Sequence, residues 1–172
     1  MKTFIQIAAF VLLFVINSPA QNVASEATRR KTYTNGRFGF ILSYPKSLVA
    51  GKESMNGDGR EFHSADGDFS LAASAHFFSP ENGDTFEARW KEELATPRVT
   101  ITYKKKAADW YVVSGITDSG TEYYHKLHAK GMNWAGFHIT YPHAKNKKYD
   151  PWVAAIEKSF VPFLPGEYDR IE

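Results

Sequence analysis

Six histidines carry most of the side-chain chemistry available to this chain, so their spacing comes first. His125 and His128 stand three apart on a run that reads as a strand. Alternate strand side chains leave on opposite faces, so these two cannot share an ion. His63 and His76 flank an Asp66-Gly67 turn and can approach across a hairpin if the register allows. His138 and His143 are separated by the end of a strand, and no H-x-x-x-H pair stands on a helix. Asp58, Asp66, Asp68 and Glu61 bring carboxylates close in sequence, but Arg60 occupies what would be a calcium-ligand position. Turn formation accounts for the Asp-Gly pairs. Val113-Ser114-Gly115 lacks the first glycine of a nucleophile elbow, and Ser70 and Ser74 read as ordinary strand serines. No glycine-rich phosphate loop follows a strand. The expectation is no catalytic set, no metal site and no cofactor.

What remains is a surface. Lys104, Lys105 and Lys106 form one basic cluster; Lys145, Lys147 and Lys148 form another. Tyr44, Tyr103, Tyr111, Tyr123, Tyr124, Trp134 and Tyr141 exceed what one sheet face needs. The candidate site is therefore a partner-binding rim of the six lysines with Trp134, suited to an anionic ligand, an envelope component or a partner protein. The competing reading has the rings filling two helix–sheet layers while the lysines only solubilise.

The elements that would position such a rim are read from periodicity. Trp110 to Pro142 is an aromatic three-strand meander, with turns at Thr117–Gly120 and Lys130-Gly131, and forms the centre of a sheet. In its last strand Ala135, Phe137, Ile139 and Tyr141 share a face. Before it come a strand stopped by Pro45, a loop over 47–59, and a hairpin around Asp66-Gly67. Phe69, Leu71, Ala73, Ala75 and Phe77 line one side of that hairpin's second strand. A helix capped by Asp84 or Asn82 carries Phe86, Trp90 and Leu94 at i, i+4, i+8 and ends before Pro97. The strand Arg98–Lys106 follows it, and a last helix, started by Asp150-Pro151, carries Trp152, Val153, Ile156 and Phe160.

Composition narrows the class. Lys2, the apolar run Phe4–Ile16 and Asn17-Ser18-Pro19-Ala20 have the layout of a signal peptide cleaved after Ala20. Residues 21–32 read as a disordered lead-in, 33–162 as one domain and 163–172 as a polar tail. The absence of cysteine excludes a disulfide scaffold, thiol chemistry and a lipoprotein anchor. Lys2 is the only charge in the first twenty residues, so 20 basic residues face 19 acidic ones in the remainder. That balance gives no footing for a nucleic-acid partner. No later segment is apolar enough to span a bilayer, so the cleaved chain is not expected to be an integral membrane protein.

The order of elements resembles the PsbP-like α/β/α sandwich. Arg37-Phe38-Gly39-Phe40-Ile41-Leu42-Ser43-Tyr44-Pro45, Asn56-Gly57-Asp58-Gly59-Arg60-Glu61-Phe62, Trp110–Gly115 and Asp150–Phe160 carry the resemblance. It covers about residues 33–162 and is nearest to small exported bacterial members. It implies an α+β fold, an antiparallel sheet of six to seven strands flanked by two helices. No metal-binding residue of the photosystem II member, and no Ran-contact residue of the import-factor member, has a counterpart here. The resulting expectation is an exported protein, periplasmic or secreted, that binds an envelope protein or small ligand without catalysis. The alternative is an envelope hydrolase using Asp, Glu and His as acid and base, which requires two such side chains to converge in one cleft.

Overall fold

The structure, a computed structural model, describes residues 29–164. The proposed signal segment, residues 21–28 of the lead-in and most of the tail lie outside the described residues. Among the described residues nine strands and two α-helices occur in the order β1 (Arg30–Thr34), β2 (Ile41–Pro45), β3 (Val49–Glu53), β4 (Gly59–His63), β5 (Ser70–Phe77), α1 (Phe86–Leu94), β6 (Val99–Lys106), β7 (Trp110–Thr117), β8 (Thr121–Lys130), β9 (Asn133–Pro142) and α2 (Asn146–Ser159). Seven strands form one antiparallel sheet, ordered β3-β4-β5-β9-β8-β7-β6, and β1 pairs with β2 in a separate hairpin.

The expected meander is at the centre, with β9 joined to β5 along its length from Ser70↔Thr140 to Phe77↔Asn133. Small residues permit the closest crossings. A Cβ on Gly136 would collide with the Lys126 carbonyl oxygen, and one on Gly59 with that of Ala73.

Alternation divides the apolar residues between two cores. Leu71, Ala73, Ala75, Ala135, Phe137, Ile139 and Tyr141 face a core shared with Tyr149, Trp152, Val153 and Ile156 of α2 and with the β1–β2 hairpin. Tyr111, Val113, Tyr123, Leu127 and Trp134 face the other side, against Phe86, Trp90 and Leu94 of α1. The two covers are offset. Helix α1 lies over the β6–β9 side of its face, while α2 and the hairpin lie over β4, β5 and β9 on theirs.

Four local expectations are corrected. Arg30–Lys31–Thr32 belongs to β1, held by pairs such as Lys31↔Tyr44 and Tyr33↔Leu42. The segment read as a loop after Ser47 contains β3, an exposed edge strand with a bulge between Ala50 and Glu53. Thr85, neither Asp84 nor Asn82, caps α1 by accepting the Ala88 N–H at 3.1 Å. Asp84 instead holds Arg89 through two hydrogen bonds of 2.6 and 2.8 Å. Helix α2 starts at Asn146, a turn before Asp150-Pro151, because Tyr149 buries completely in the core and draws that turn into the helix.

Candidate functional site

The offset of the covers leaves one end of each sheet face open, and a concavity lies at each. On the α1 face, over β3–β5, a cleft of about 540 Å³ is floored by Gly59, Ala72 and Ser74. Its wall is built around Asp58, one of two polar residues that are buried among the described residues. Asp58 Oδ1 accepts from Arg37 Nη1 at 2.6 Å, and Oδ2 receives His76 Nε2 at 2.5 Å and the Asn56 side-chain amide. The β3–β4 turn supplies Asn56 and Asp58, the β1–β2 turn supplies Arg37, and the last residues of β5 supply His76. Trp134 stacks on the His76 ring at 6.0 Å and 25°. Nε2 is the ring nitrogen held by the carboxylate, so Nδ1 is the one turned away from it. Asp58 and His76 thus form an oriented acid–base pair at an open cleft. Lys52, Ser54, Arg60 and Glu61 complete a mixed lining of donors and acceptors.

Beneath α1 lies a second polar group, in which His125 and Glu93 are partly covered and His138 is exposed. His125 and His138 stand directly opposite on β8 and β9, with ring centroids 5.8 Å apart. Glu93 of α1 meets His125 Nδ1. Burial, then the charge of Glu93, pushes the Tyr123 hydroxyl up to about 12, and the same causes raise Tyr111 further. Both hydroxyls stay protonated and make no hydrogen bond among the described residues. Among the described residues no three His, Cys, Asp or Glu side chains are placed to hold a metal ion.

The lysines of the expected rim fall into two separate patches. Lys104–Lys106 pair with Val113–Tyr111 at the start of β7. Lys145–Lys148 follow Pro142 at the far end of β9, so the clusters stand at opposite ends of the sheet. Lys106 is tied to Glu87 at 2.5 Å and lies over the Phe86 and Trp90 rings. Lys105 lies 5.5 Å from the Trp110 ring, and Lys104 is exposed. Lys145 pairs with Asp68 and Lys148 with Asp66 at 3.2 Å, while Lys147 reaches no carboxylate among the described residues. Trp134 is only 8% exposed, under the Arg89 guanidinium at 4.4 Å from its ring. His63 and His76 do not meet: His63 pairs with Ser70, and His76 lies beyond the Gly59↔Ser74 pair at the other end of the hairpin. His125 and His128 face opposite sides of the sheet, as their spacing predicts.

No protein-family model matches the sequence, and no curated protein does. Solved structures do. The solution structure of cyanobacterial PsbP from Synechocystis sp. PCC 6803 aligns with a TM-score of 0.57 at 8% identity, over 78% of this chain and 93% of that one. The fold is PsbP-like. A crystal structure from Bacteroides thetaiotaomicron VPI-5482 aligns with a TM-score of 0.48 at 17% identity, over 81% of this chain and 50% of that one. The PsbP-like α+β architecture expected from the order of elements is therefore correct, including the seven-strand sheet and two helices. At such identities the likeness establishes fold alone. The Asp58–His76 pair escaped the spacing because its members lie on a turn and a strand end that only tertiary pairing joins. The signal that could have found it is the Asn56-Gly57-Asp58-Gly59 turn, whose carboxylate faces a strand carrying a histidine.

Proposed function

We propose that this chain is an exported domain of the cell envelope, periplasmic or secreted, that binds a small polar ligand without converting it. The observation that supports this best is the 540 Å³ cleft beside α1, into which a buried carboxylate orients the His76 ring. Its lining mixes Lys52 and Arg60 with Glu61, Asp58 being already neutralised by Arg37, so it suits a near-neutral ligand rich in hydroxyl and amide groups. Most of the lysines answer acids or rings of the protein itself, so the cleft is a better seat than the rim.

A hydrolytic reading has one observation in its favour, the convergence of Asp58 and His76. Ser54 and Ser74 also line the cleft, yet neither hydrogen-bonds His76, and the Ser54 hydroxyl accepts the Gly59 N–H at 3.0 Å. Without a serine engaged by the imidazole, binding is the stronger reading.

The test is a thermal-shift screen of the purified protein against cell-wall saccharides and short peptides, run beside Ser74→Trp, which fills the cleft floor. Compounds that raise the wild-type melting temperature and not that of Ser74→Trp support the proposal. Hits that persist in Ser74→Trp, or none at all, overturn it. Turnover of chromogenic esters or glycosides that disappears in His76→Ala would establish the hydrolase instead. Export is tested by fractionation and N-terminal sequencing: a mature chain starting at Gln21 is expected, and exported material starting at Met1 would refute cleavage.

A further inference from the structure

The open end of the opposite face holds a groove of different chemistry. It measures about 360 Å³ and lies between β6–β9 and α2. Tyr103, Tyr124 and Tyr141 contribute rings, Glu122, Asp150 and Glu157 contribute carboxylates, and no lysine, arginine or histidine is in the lining. Helical repeat sets the α2 wall: Asp150, Val153, Ala154 and Glu157 fall at i, i+3, i+4 and i+7, so an apolar pair separates two acids.

The three carboxylates are not equivalent. Glu157 accepts the Lys126 ammonium at 2.7 Å, and that ammonium lies 5.5 Å from the Trp110 ring. The protein thus already seats one primary ammonium beside acid and aromatic groups at this end. Glu122 meets His143 at 2.8 Å. Asp150 accepts the Tyr141 hydroxyl at 2.8 Å and has no cation within ion-pair distance among the described residues. Tyr124 is fixed by stacking on Phe137, at 5.9 Å and 12°, while Tyr103 is half exposed at the mouth. Burial, then the charge of Glu157, raises the Tyr124 hydroxyl, so the ring stays neutral.

Carboxylate charge and the negative faces of tyrosine rings both attract a cation. We propose that this groove binds a small organic monocation, an alkylammonium. Its charged head lies at Asp150 and Glu122, and its apolar body lies along Val153, Ala154 and the Tyr124 ring. Lys126 holds the far end, so a second positive charge on the ligand would meet an ammonium, and the groove selects monoamines over diamines. Lys147 stands three residues before Asp150 on α2, a spacing from which its ammonium can turn to the same carboxylate. The site shares no residue with the cleft beside α1 and stands independently of it.

The experiment is a titration of the purified protein, at low ionic strength, with butylammonium chloride and with 1,4-diaminobutane dihydrochloride, followed by calorimetry and amide chemical shifts. Saturable butylammonium binding is expected, with shifts at Tyr124, Asp150 and Ala154. Asp150→Asn, which keeps an acceptor for Tyr141, should weaken it at least tenfold with an unchanged near-UV spectrum. Lys147→Ala should leave it equal or tighter. No saturable binding, equal affinity in a folded Asp150→Asn, shifts centred on His76, or a diamine that binds as tightly as the monoamine would each overturn the proposal.

Discussion

At Asp58 one buried carboxylate answers a guanidinium, an imidazole and an amide at once. Asp58→Ala removes the acceptor that Arg37, His76 and Asn56 share and is expected to cost about 1–3 kcal/mol, read as a lower urea midpoint with unchanged slope. His128 is the titration to follow. Burial first, then the Lys126 ammonium, lowers its folded-state value from 6.5 to about 4. An unfolded chain therefore takes this proton first as the pH falls. The contribution of neutral His128 is fully present above about 6.5 and is lost progressively between there and about 4. A histidine NMR titration should place His128 near 4, and Lys126→Met should move it upward. Spacing alone settled that His125 and His128 part company across the sheet. It had no means to show that His125 faces His138, because that depends on which residue of β9 sits opposite β8.

Among the elements, those with strong periodicity were legible and those without were not. Strands β5 and β9 carry uninterrupted period-two apolar faces, and the residues that alternation turns inward are buried in both, except Phe77 at the end of β5, which is exposed. Strand β3 reads Val-Ala-Gly-Lys-Glu and is exposed almost throughout, so pairing makes it a strand and no alternation announces it. Strand β1 buries Tyr33 alone among polar neighbours. Helix α1 was found by its stripe, yet its cap shifted to Thr85 because Asp84 is committed to Arg89. At nine residues the helix is too short to persist alone and depends on both that cap and its packing. Thr85→Ala should cost about 1 kcal/mol, measured by urea unfolding, and faster amide exchange should be confined to the first turn of α1.

For the whole molecule the decisive feature is the lateral offset of the two covers. Had α1 and α2 lain back to back, both cores would close and neither concavity would exist. Aromatic composition and a single-domain length were readable in advance, and they do imply two helix–sheet layers. The offset was not readable, because it follows from where β1–β2 docks, and β1 itself is nearly silent in sequence. The same offset opens a groove whose lining is opposite in charge to the expected rim. The expected surface was aromatic and basic, for an anion. The open groove is instead aromatic and acidic.

The lysine triplet acquires a different meaning from its place on β6. This strand is the unpaired margin of a seven-strand sheet, eight residues long, with one row of backbone donors and acceptors facing outward. Such a margin is a template on which another chain can add itself, and consecutive charged side chains with a bulge, here between Ile101 and Tyr103, make that addition unfavourable. Lys104 and Lys105 then act by repulsion, as guards against fibre growth, and β3 answers at the other margin with its own bulge and Lys52. Replacing Lys104 and Lys105 with valine, while keeping Lys106 on Glu87, should leave the fold intact and produce thioflavin-positive fibres at concentrations where the wild type forms none.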